Sequence, residues 1–286
     1  MTCERRHVLV TGTSSGIGRA TMAAAQAQGW HVFAGERRPE PAADHGEWVT
    51  HVRLDVTDQS DIAATADTIA AHVGPRGLDG LANIAGIGIP GPLEIMPMAD
   101  LRRSLEVDFF GQVALTQAML DLIRTAQGRI VFIGSIVDRI TVPYFGALAA
   151  AKSAIAAVSD TFRQELAPWG IKVALVEPGF ISTGADATTK AMIDRRIESM
   201  TPDQAALYGK SFADATAAGY KTQTSGSRPE GVADVIMKAL SEPHPHTHYL
   251  TGSKSHLMAA LAHLPQPVQD EIKRKAFDQP GPGSLA

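Results

Sequence analysis

A glycine-rich segment near the start of the chain has the residue types of an anion-binding turn. Residues 11–18 read Thr-Gly-Thr-Ser-Ser-Gly-Ile-Gly, between an apolar run at 8–10 and a helical pattern that continues the chain. The backbone N–H groups of such a turn and the positive end of the next helix point at one spot, where a pyrophosphate fits. Gly12 permits the sharp turn, and Gly16 and Gly18 carry no side chain to obstruct a phosphate or the helix. An ordinary βα turn is the alternative, but its strand and helix context favours nucleotide binding.

The elements that must position this turn alternate between strands and helices. Runs rich in Val, Ile and Leu, with little polar alternation, predict buried parallel strands at 7–10, 31–34, 49–54, 80–83, 129–134, 172–177 and 248–250. Helical patterns lie between them at 16–28, 58–72, 101–125 and 149–166. This βαβ rhythm predicts an α/β fold with a Rossmann-type, doubly wound parallel sheet in one domain, residues 1–286.

One stretch interrupts the rhythm and is a candidate substrate lid. Residues 180–228 contain no clear strand, and two short amphipathic helices are predicted at 190–200 and 202–218. A peripheral helical pair that only covers the core is the alternative. A helical tail is predicted at 255–277. The lid carries apolar side chains that would face a bulky apolar substrate or pack against the body: Met192, Ile193, Ile197, Met200, Leu207 and Phe212.

Composition restricts the classes of partner. The chain has 286 residues, is 44% hydrophobic and carries a net charge of -4, with its basic residues scattered, so a nucleic-acid footprint is not expected. Cys3 is the only cysteine, which rules out an intramolecular disulfide and fits a reducing compartment. The first residues lack the apolar core of a signal peptide, and no run approaches the ~20 apolar residues that span a bilayer. We therefore expect a cytoplasmic protein with no membrane partner.

Further motifs follow the strands in order. The first two motifs lie at the ends of the third and fourth strands. The third motif follows the fifth strand, the fourth lies in the next helix, and the last two follow the sixth strand. In that order they are Asp55-Val56, Asn83-Ile84-Ala85-Gly86, Ser135, Lys152, Pro178-Gly179 and Thr183. Together with the glycine turn, this series resembles the short-chain dehydrogenase/reductase family over residues 7–277. The segment 167–179 is similar to the branch that contains 17β-hydroxysteroid and retinol dehydrogenases.

The resemblance implies an NAD(P)-dependent oxidoreductase acting on a hydrophobic carbonyl or alcohol, and it assigns roles to these residues. The glycine turn would hold the phosphates through Thr11, Gly12, Ser14, Ser15, Gly16, Ile17 and Gly18. Asp55 and Val56 would flank the adenine, whereas Asn83, Ala85 and Gly86 would support the central strand and line the ribose side. Lys152 would hold the nicotinamide ribose, Pro178, Gly179 and Thr183 would frame the nicotinamide, and Ser135 would bond the substrate oxygen.

Three of these residues also have purely structural interpretations when each is taken alone. Asp55 would cap the turn into Thr57, Asn83 would satisfy neighbouring backbone groups, and Ser135 would be an ordinary loop hydroxyl. Their joint spacing favours the functional interpretation.

The chain departs from the family pattern at the proton donor. The resemblance places a tyrosine four residues before the lysine, where this chain has Leu148, and an asparagine where it has Asp108, near a water relay to the lysine. Reduction of a ketone leaves an alkoxide that needs a proton, and leucine has none to give. Tyr144 would supply it, unless that residue is a packing aromatic, or the substrate would supply its own with help from Ser135 and water. A third alternative is a protein without redox chemistry, such as a cyclase, an isomerase or a nucleotide sensor.

The end of the second strand bears on the choice of cofactor. The resemblance places an aspartate at position 35 in NAD-preferring relatives, and this chain has Gly35 there, followed by Glu36, Arg37 and Arg38. An arginine fork from Arg37 or Arg38 would pair with the 2′-phosphate of NADP, unless both arginines face solvent in the loop before Pro39. The carboxylate of Glu36 would instead hold the 2′-hydroxyl of NAD. The absence of an aspartate at position 35 and the two arginines favour NADP, and NAD remains the alternative.

Two further expectations concern metals and assembly. The histidines at 244, 246 and 248 alternate, but no cysteine or carboxylate joins them nearby in the sequence, and we predict no metal site. The resemblance implies a homodimer or homotetramer formed through the helices at 101–125 and 149–166. The expected small-molecule partner is a bulky hydrophobic substrate such as a steroid, terpenoid or polyketide.

Overall fold

The protein folds around one parallel β-sheet. A computed structural model describes residues 5–39, 46, 48–184 and 186–284, so Cys3 and the first residues lie outside the described part. In those ranges the strands are β1 (His7–Thr11), β2 (His31–Glu36), β3 (Val49–Arg53), β4 (Gly80–Asn83), β5 (Arg129–Ile133), β6 (Lys172–Pro178) and β7 (His248–Thr251). All neighbours pair in parallel, in the order β3-β2-β1-β4-β5-β6-β7. The predicted fold class is confirmed, and the strand order reverses between β1 and β4, where such sheets open a ligand crevice.

Helices cover both faces of the sheet. They are α1 (Gly16–Ala27), α2 (Gln59–Val73), α3 (Met98–Leu105), α4 (Gly111–Ala126), α5 (Gly146–Leu166), α6 (Asp186–Glu198), α7 (Pro202–Gln204), α8 (Lys210–Thr224), α9 (Pro229–Ser241), α10 (Ser255–Leu261) and α11 (Gln266–Ala276). Leu9 of β1 packs towards α2, α4 and α5, whereas Val8 and Val10 pack towards α1 and α9. Burial on both faces explains why the strand sequences show little polar alternation. Helix α9, which completes the second layer, was not predicted.

A π-helical turn interrupts the helix expected at 101–125. Glu106–Phe110 separates α3 from α4 and carries Asp108, whose side chain is fully buried. Such a turn inserts an extra residue into the helical repeat and redirects the side chains on it, so a pattern of period 3.6 does not reveal it.

The lid leaves the body and returns to it at one place. The segment 180–228 contains α6, α7, a second π turn (Ala205–Gly209) and α8. At its base the Ser227 N–H donates to the Phe180 carbonyl at 3.0 Å, and the Ser182 N–H donates to the Ser227 carbonyl at 3.0 Å. The lid is therefore a closed excursion from the end of β6. Across the described ranges, no helix combines the length and the apolar composition that crossing a membrane requires.

Three imidazoles meet beside β1 and β2, and this cluster makes a prediction about acid stability. His31 is 6% exposed, its ring lies 4.3 Å from that of His72 and 5.6 Å from that of His7, and its Nε2 is 2.9 Å from Thr50 Oγ1. Burial, with the neighbouring imidazoles, lowers the pKa of His31 from 6.5 to about 4. Between those values the unfolded chain binds a proton that the folded chain does not, so stability falls as the pH falls.

Because of the lowered pKa of His31, we expect the free energy of unfolding to fall by about 2 kcal/mol between pH 7 and pH 4.5. His31→Gln should abolish that part of the loss. Denaturant unfolding at both pH values measures the effect. His263→Gln, at an exposed histidine, is the matched control and should leave the pH dependence of wild type. An equal acid sensitivity in wild type and His31→Gln would contradict the prediction.

Candidate functional site

The glycine turn forms a cradle that larger residues would fill. Gly12 and Gly16 have φ angles of 73° and 51°, in the left-handed region that favours glycine. A Cβ atom on Gly18 would lie 2.2 Å from the Gly12 carbonyl oxygen, and one on Gly16 would lie 3.0 Å from the Thr183 side chain. The turn, the first turn of α1 and the start of the lid therefore approach one another closely, and each of these three positions requires glycine.

The turn is tied to the end of β4 by a buried hydroxyl. Thr11 Oγ1 accepts from the N–H groups of Ile84 and Ala85, at 2.8 and 2.9 Å. The Ala85 carbonyl in turn accepts from Gln112 Nε2 at 3.0 Å. Thr11 is 1% exposed, so it supports the crevice rather than lining it. The contribution of Gln112 was not predicted, because its partner lies 27 residues away in the sequence.

A cavity of about 720 Å³ extends from the glycine turn across the ends of β2, β3 and β4. It is lined by most of the predicted cofactor residues: Gly12, Ser14, Ser15, Gly16, Ile17, Gly18, Arg37, Asp55, Val56, Ala85, Gly86 and Thr183. A volume of this size suits an extended cofactor. The glycine cradle and the donors around it fit the pyrophosphate of a dinucleotide, and we call this space the cofactor cavity.

Asn83 is a correction to the predicted lining. Its side chain is fully buried and donates from Nδ2 to Thr116 Oγ1 of α4 at 3.0 Å, so it faces the helix layer and not the cofactor cavity. Side-chain alternation along β4 explains this orientation. Asp55 combines both of its interpretations: Oδ1 accepts from the N–H and hydroxyl of Thr57, at 3.0 and 2.7 Å, and the residue also lines the cavity.

Glu36 and Arg37, which follow Gly35, both line the cofactor cavity but differ in exposure and in protein partners. Glu36 is 9% exposed, accepts from Thr13 Oγ1 at 2.8 Å and lies 3.7 Å from His51 Nδ1. Arg37 is exposed and lines the cofactor cavity. The Glu36 carboxylate is thus engaged by protein groups, whereas the Arg37 guanidinium is available to a ligand.

A second cavity, of about 340 Å³, adjoins the first and contains Ser135, Leu148 and Lys152. We call it the catalytic cavity. Lys152 Nζ donates to the Ile133 carbonyl at 2.9 Å and lies 3.3 Å from Asp108 Oδ1. A Cβ on Gly86 would lie 2.5 Å from that carboxylate oxygen, so glycine is needed beside this ion pair.

Asp108 holds Lys152 from the π turn. Its Oδ1 also accepts from the Ile87 N–H at 3.1 Å, which connects the turn to the end of β4. Burial raises the pKa of Asp108, while the Lys152 ammonium and the Ile87 N–H oppose that rise. The side-chain carboxylate therefore sets the position of the ammonium and offsets part of its positive field.

Ser135 lies two residues after the end of β5 and caps a short 3₁₀ turn, Ile136–Asp138. Its Oγ accepts from the Val137 N–H at 3.4 Å, and its own N–H donates to Asp138 Oδ2 at 3.2 Å. The hydroxyl proton remains for donation to a ligand. Behind it, burial and the neighbouring Glu177 carboxylate raise the pKa of Asp138 to about 7. The position of Asp138 next to Ser135 was not predicted.

Leu148 lies one helical turn before Lys152 on α5 and lines the catalytic cavity. It packs against the apolar cluster around Ile136, Val137 and Met258. The place is filled by an apolar group, which can neither donate nor accept a proton.

Tyr144 is placed elsewhere, which corrects its candidacy as the acid. Its hydroxyl donates to Ser211 Oγ at 2.9 Å, and its ring packs edge-on against Phe212 with centroids 5.3 Å apart. The described residues that line the catalytic cavity do not include it. Its backbone has a φ angle of 65°, and its carbonyl accepts from the Gly91 N–H at 2.8 Å. Both features fix the loop that carries Tyr144 beneath the lid. The structure supports the packing interpretation of this residue.

The lid and the C-terminal tail enclose the catalytic cavity with apolar side chains. Pro178, Gly179 and Thr183, which were predicted to frame a nicotinamide, line it. The apolar wall consists of Val142, Phe145, Phe180, Ile193, Met258 and Phe277. The predicted lid residues divide accordingly: Ile193 faces the cavity, Phe212 is fully buried against Tyr144, and Leu207 is 59% exposed. The space suits an apolar ligand.

The alternating histidines have separate partners. His248 Nδ1 lies 3.0 Å from Glu177 Oε2, and its Nε2 lies 3.3 Å from Asp160 Oδ1. The ring of His246 packs against Tyr249. The described portion of the chain contains no group of three or more His, Cys, Asp or Glu side chains arranged to hold a metal ion.

Known proteins resemble this chain in sequence and in fold. Residues 6–194 match the model of the short chain dehydrogenase family. The chain is 32% identical to human 17-beta-hydroxysteroid dehydrogenase type 6, covering 97% of this chain and 90% of that protein. It is 31% identical to the NADPH-dependent 3-dehydrocapnine reductase of Ornithobacterium rhinotracheale, covering 95% and 96%. A Burkholderia cenocepacia short chain dehydrogenase solved with NADP shares the fold, with a TM-score of 0.72 at 22% identity over 96% and 99% of the two chains.

Proposed function

Given that this chain belongs to the short chain dehydrogenase family, we propose that it is an NADPH-dependent reductase of a bulky apolar carbonyl compound, or the dehydrogenase of the corresponding alcohol. The observation that carries the proposal is the junction of the two cavities. The cofactor cavity and the catalytic cavity share Ile17, Ile84, Gly86, Ile87 and Thr183, so a dinucleotide held in one would reach a substrate held in the other. One relative named above is by name a dehydrogenase of 17-beta-hydroxysteroids, which supports the apolar class, and the other is by name an NADPH-dependent reductase.

The chain's own residues have defined tasks in this reaction. A bound nicotinamide cofactor supplies the hydride. Lys152, which is held by Asp108 and the Ile133 carbonyl, would bind the cofactor's ribose hydroxyls. Ser135 donates its hydroxyl proton to the substrate oxygen and so orients the carbonyl. Since Leu148 has no proton to give, we propose that water at Ser135 or an acidic group on the substrate protonates the alkoxide.

This proposal is tested with a matched pair of ketones. 8-Hydroxy-1-tetralone carries a phenol beside its carbonyl, and 1-tetralone does not. We expect NADPH oxidation with both and a clearly higher kcat/KM for the phenol-bearing ketone, because it brings its own proton. If NADPH binds but neither these nor other apolar ketones are reduced, the redox proposal fails. A non-redox nucleotide-bound protein, which Leu148 also favours, would then be the better account.

We propose that the preference for NADPH depends on Arg37, which lines the cofactor cavity. Glu36 also lines that cavity, but its carboxylate accepts a hydrogen bond from Thr13. Removing a charged hydrogen-bond partner costs about 1.5–3 kcal/mol, so Arg37→Ala should lower the ratio of kcat/KM for NADPH to that for NADH by ~10- to 100-fold. Arg38→Ala is the matched comparison, since Arg38 is exposed but does not line the cavity. Wild-type discrimination in Arg37→Ala, or an equal loss in Arg38→Ala, would contradict this assignment.

A further inference from the structure

A third cavity, of about 710 Å³, lies between lid helix α6 and helix α3. It shares Ser15, Arg37 and Arg103 with the cofactor cavity, and Gly88 and Thr189 with the catalytic cavity. A molecule bound at Ser135 can therefore extend into it beneath the lid. We call it the arginine cavity.

The charge of this cavity is opposite to that of the whole chain. Four arginines line it, Arg37, Arg103, Arg195 and Arg196, with Asp100 as the carboxylate among its described lining residues. The chain carries a net charge of -4. Arg196 pairs with Asp100, whereas neither Arg103 nor Arg195 forms an ion pair with another described side chain. Cations gathered on a concave wall create a positive potential that attracts anions.

Arg196 is held in a fixed orientation with hydrogen-bonding capacity left over. Its side chain is 14% exposed, it bonds Asp100 through Nη2, and it packs where a Cβ on Gly91 would lie 3.4 Å from Nε. That Nε is buried and has no hydrogen-bond partner in the described part of the chain. A planar guanidinium fixed in this way matches the geometry of a carboxylate or phosphate.

We propose that the arginine cavity binds an anionic group, a carboxylate or a phosphate, at the end of the substrate remote from the carbonyl. The inference rests on the proposed function, because it requires the reacting carbonyl to lie at Ser135. The substrate is then amphipathic: its apolar body fills the catalytic cavity and its anionic end lies against Arg103, Arg195 and Arg196. With NADP bound, Arg37 is engaged by the cofactor. Arg195 and Arg196, which do not line the cofactor cavity, then remain for the substrate, together with Arg103 at the border of the two cavities.

A binding experiment that needs no turnover tests this inference. Calorimetric titration of the full-length protein saturated with NADP gives the dissociation constants of decanoate and 1-decanol, which share an apolar chain and differ in charge. We expect decanoate to bind at least ~10-fold more tightly at low salt, as for hydrogen bonds to a charged group. The double variant Arg103→Gln/Arg195→Gln should reduce that ratio to near one. Lys190→Gln, which removes an exposed cation of the same helix that lies outside the cavity, should keep the wild-type ratio.

Each other outcome overturns the inference. Equal binding of the two ligands by wild type would show that the cavity does not select anions. An equal loss in Lys190→Gln would show a general effect of charge. If the double variant weakened NADP binding but kept the decanoate preference, the arginines would serve the cofactor's phosphates instead. The titration measures ligand binding and needs no turnover. A failure to reduce ketones would therefore count against the proposed function but would not change the measured preference for decanoate over 1-decanol.

Discussion

Leu148→Tyr is expected to raise kcat/KM for the reduction of 1-tetralone by about 10²- to 10⁴-fold, the usual contribution of a positioned acid. Position 148 lines the catalytic cavity, as Ser135 does, and precedes Lys152 by one helical turn. Residues four apart share one face of a helix, so a tyrosine hydroxyl here would lie near the Lys152 ammonium, which favours the phenolate. Asp108, 3.3 Å from that ammonium, weakens the effect without removing it.

The gain should be selective for substrates that lack a proton of their own. For 8-hydroxy-1-tetralone we expect a smaller increase, because its phenol already performs the task. Leu148→Phe is the matched control: it adds the ring without the hydroxyl and should show no gain. If Leu148→Tyr and Leu148→Phe behaved alike while both bound NADPH, the remaining groups of the site would not be arranged for hydride reduction.

Gly18→Ala is expected to weaken NADP binding by at least ~10²-fold, the effect of displacing a positioned group by about 1 Å. Its Cβ would lie 2.2 Å from the Gly12 carbonyl oxygen and 2.6 Å from the Gly12 carbonyl carbon. The obstacle is backbone, so the turn itself must move, and with it the N–H groups that would hold a pyrophosphate. Titration followed by NADPH fluorescence measures the loss, and circular dichroism reports whether the fold is kept.

Gly231→Ala is the matched control for this substitution. Gly231 lies in α9, and a Cβ there meets nothing within 4 Å. We expect wild-type NADP affinity and a slightly more stable helix. Wild-type affinity in a folded Gly18→Ala protein would contradict the assignment of the turn to phosphate binding.

The parts of the fold that depend on local pattern were predictable from the sequence. The strands β4 and β6, which are buried on both faces, begin at the predicted residues, Gly80 and Lys172. Asp58, which precedes α2, caps that helix by accepting from the Ser60 and Asp61 N–H groups. The glycine turn was also predictable, because its backbone conformation restricts the residue types. What failed depended on tertiary contacts. No local pattern shows that Asn83 faces Thr116, or that Tyr144 is held by Ser211.

The arginine cavity illustrates the same limit. Arg196 and Asp100 are 96 residues apart, and only the folded lid brings them together. The π turn that presents Asp108 to Lys152 is likewise set by packing, since its sequence continues a helical pattern. Local periodicity predicts the elements, whereas the site depends on which ends of those elements meet.

Transfer of deuterium from the cofactor to the product tests most directly whether this protein catalyses hydride reduction of a ketone by NADPH. Wild-type protein is incubated with 8-hydroxy-1-tetralone and NADPH that carries deuterium at both C4 positions of the nicotinamide, and the alcohol is analysed by mass spectrometry and NMR. We expect one deuterium on the carbinol carbon, delivered to a single face, despite the leucine at position 148. Tight binding of the labelled cofactor with no deuterium in any product would contradict it.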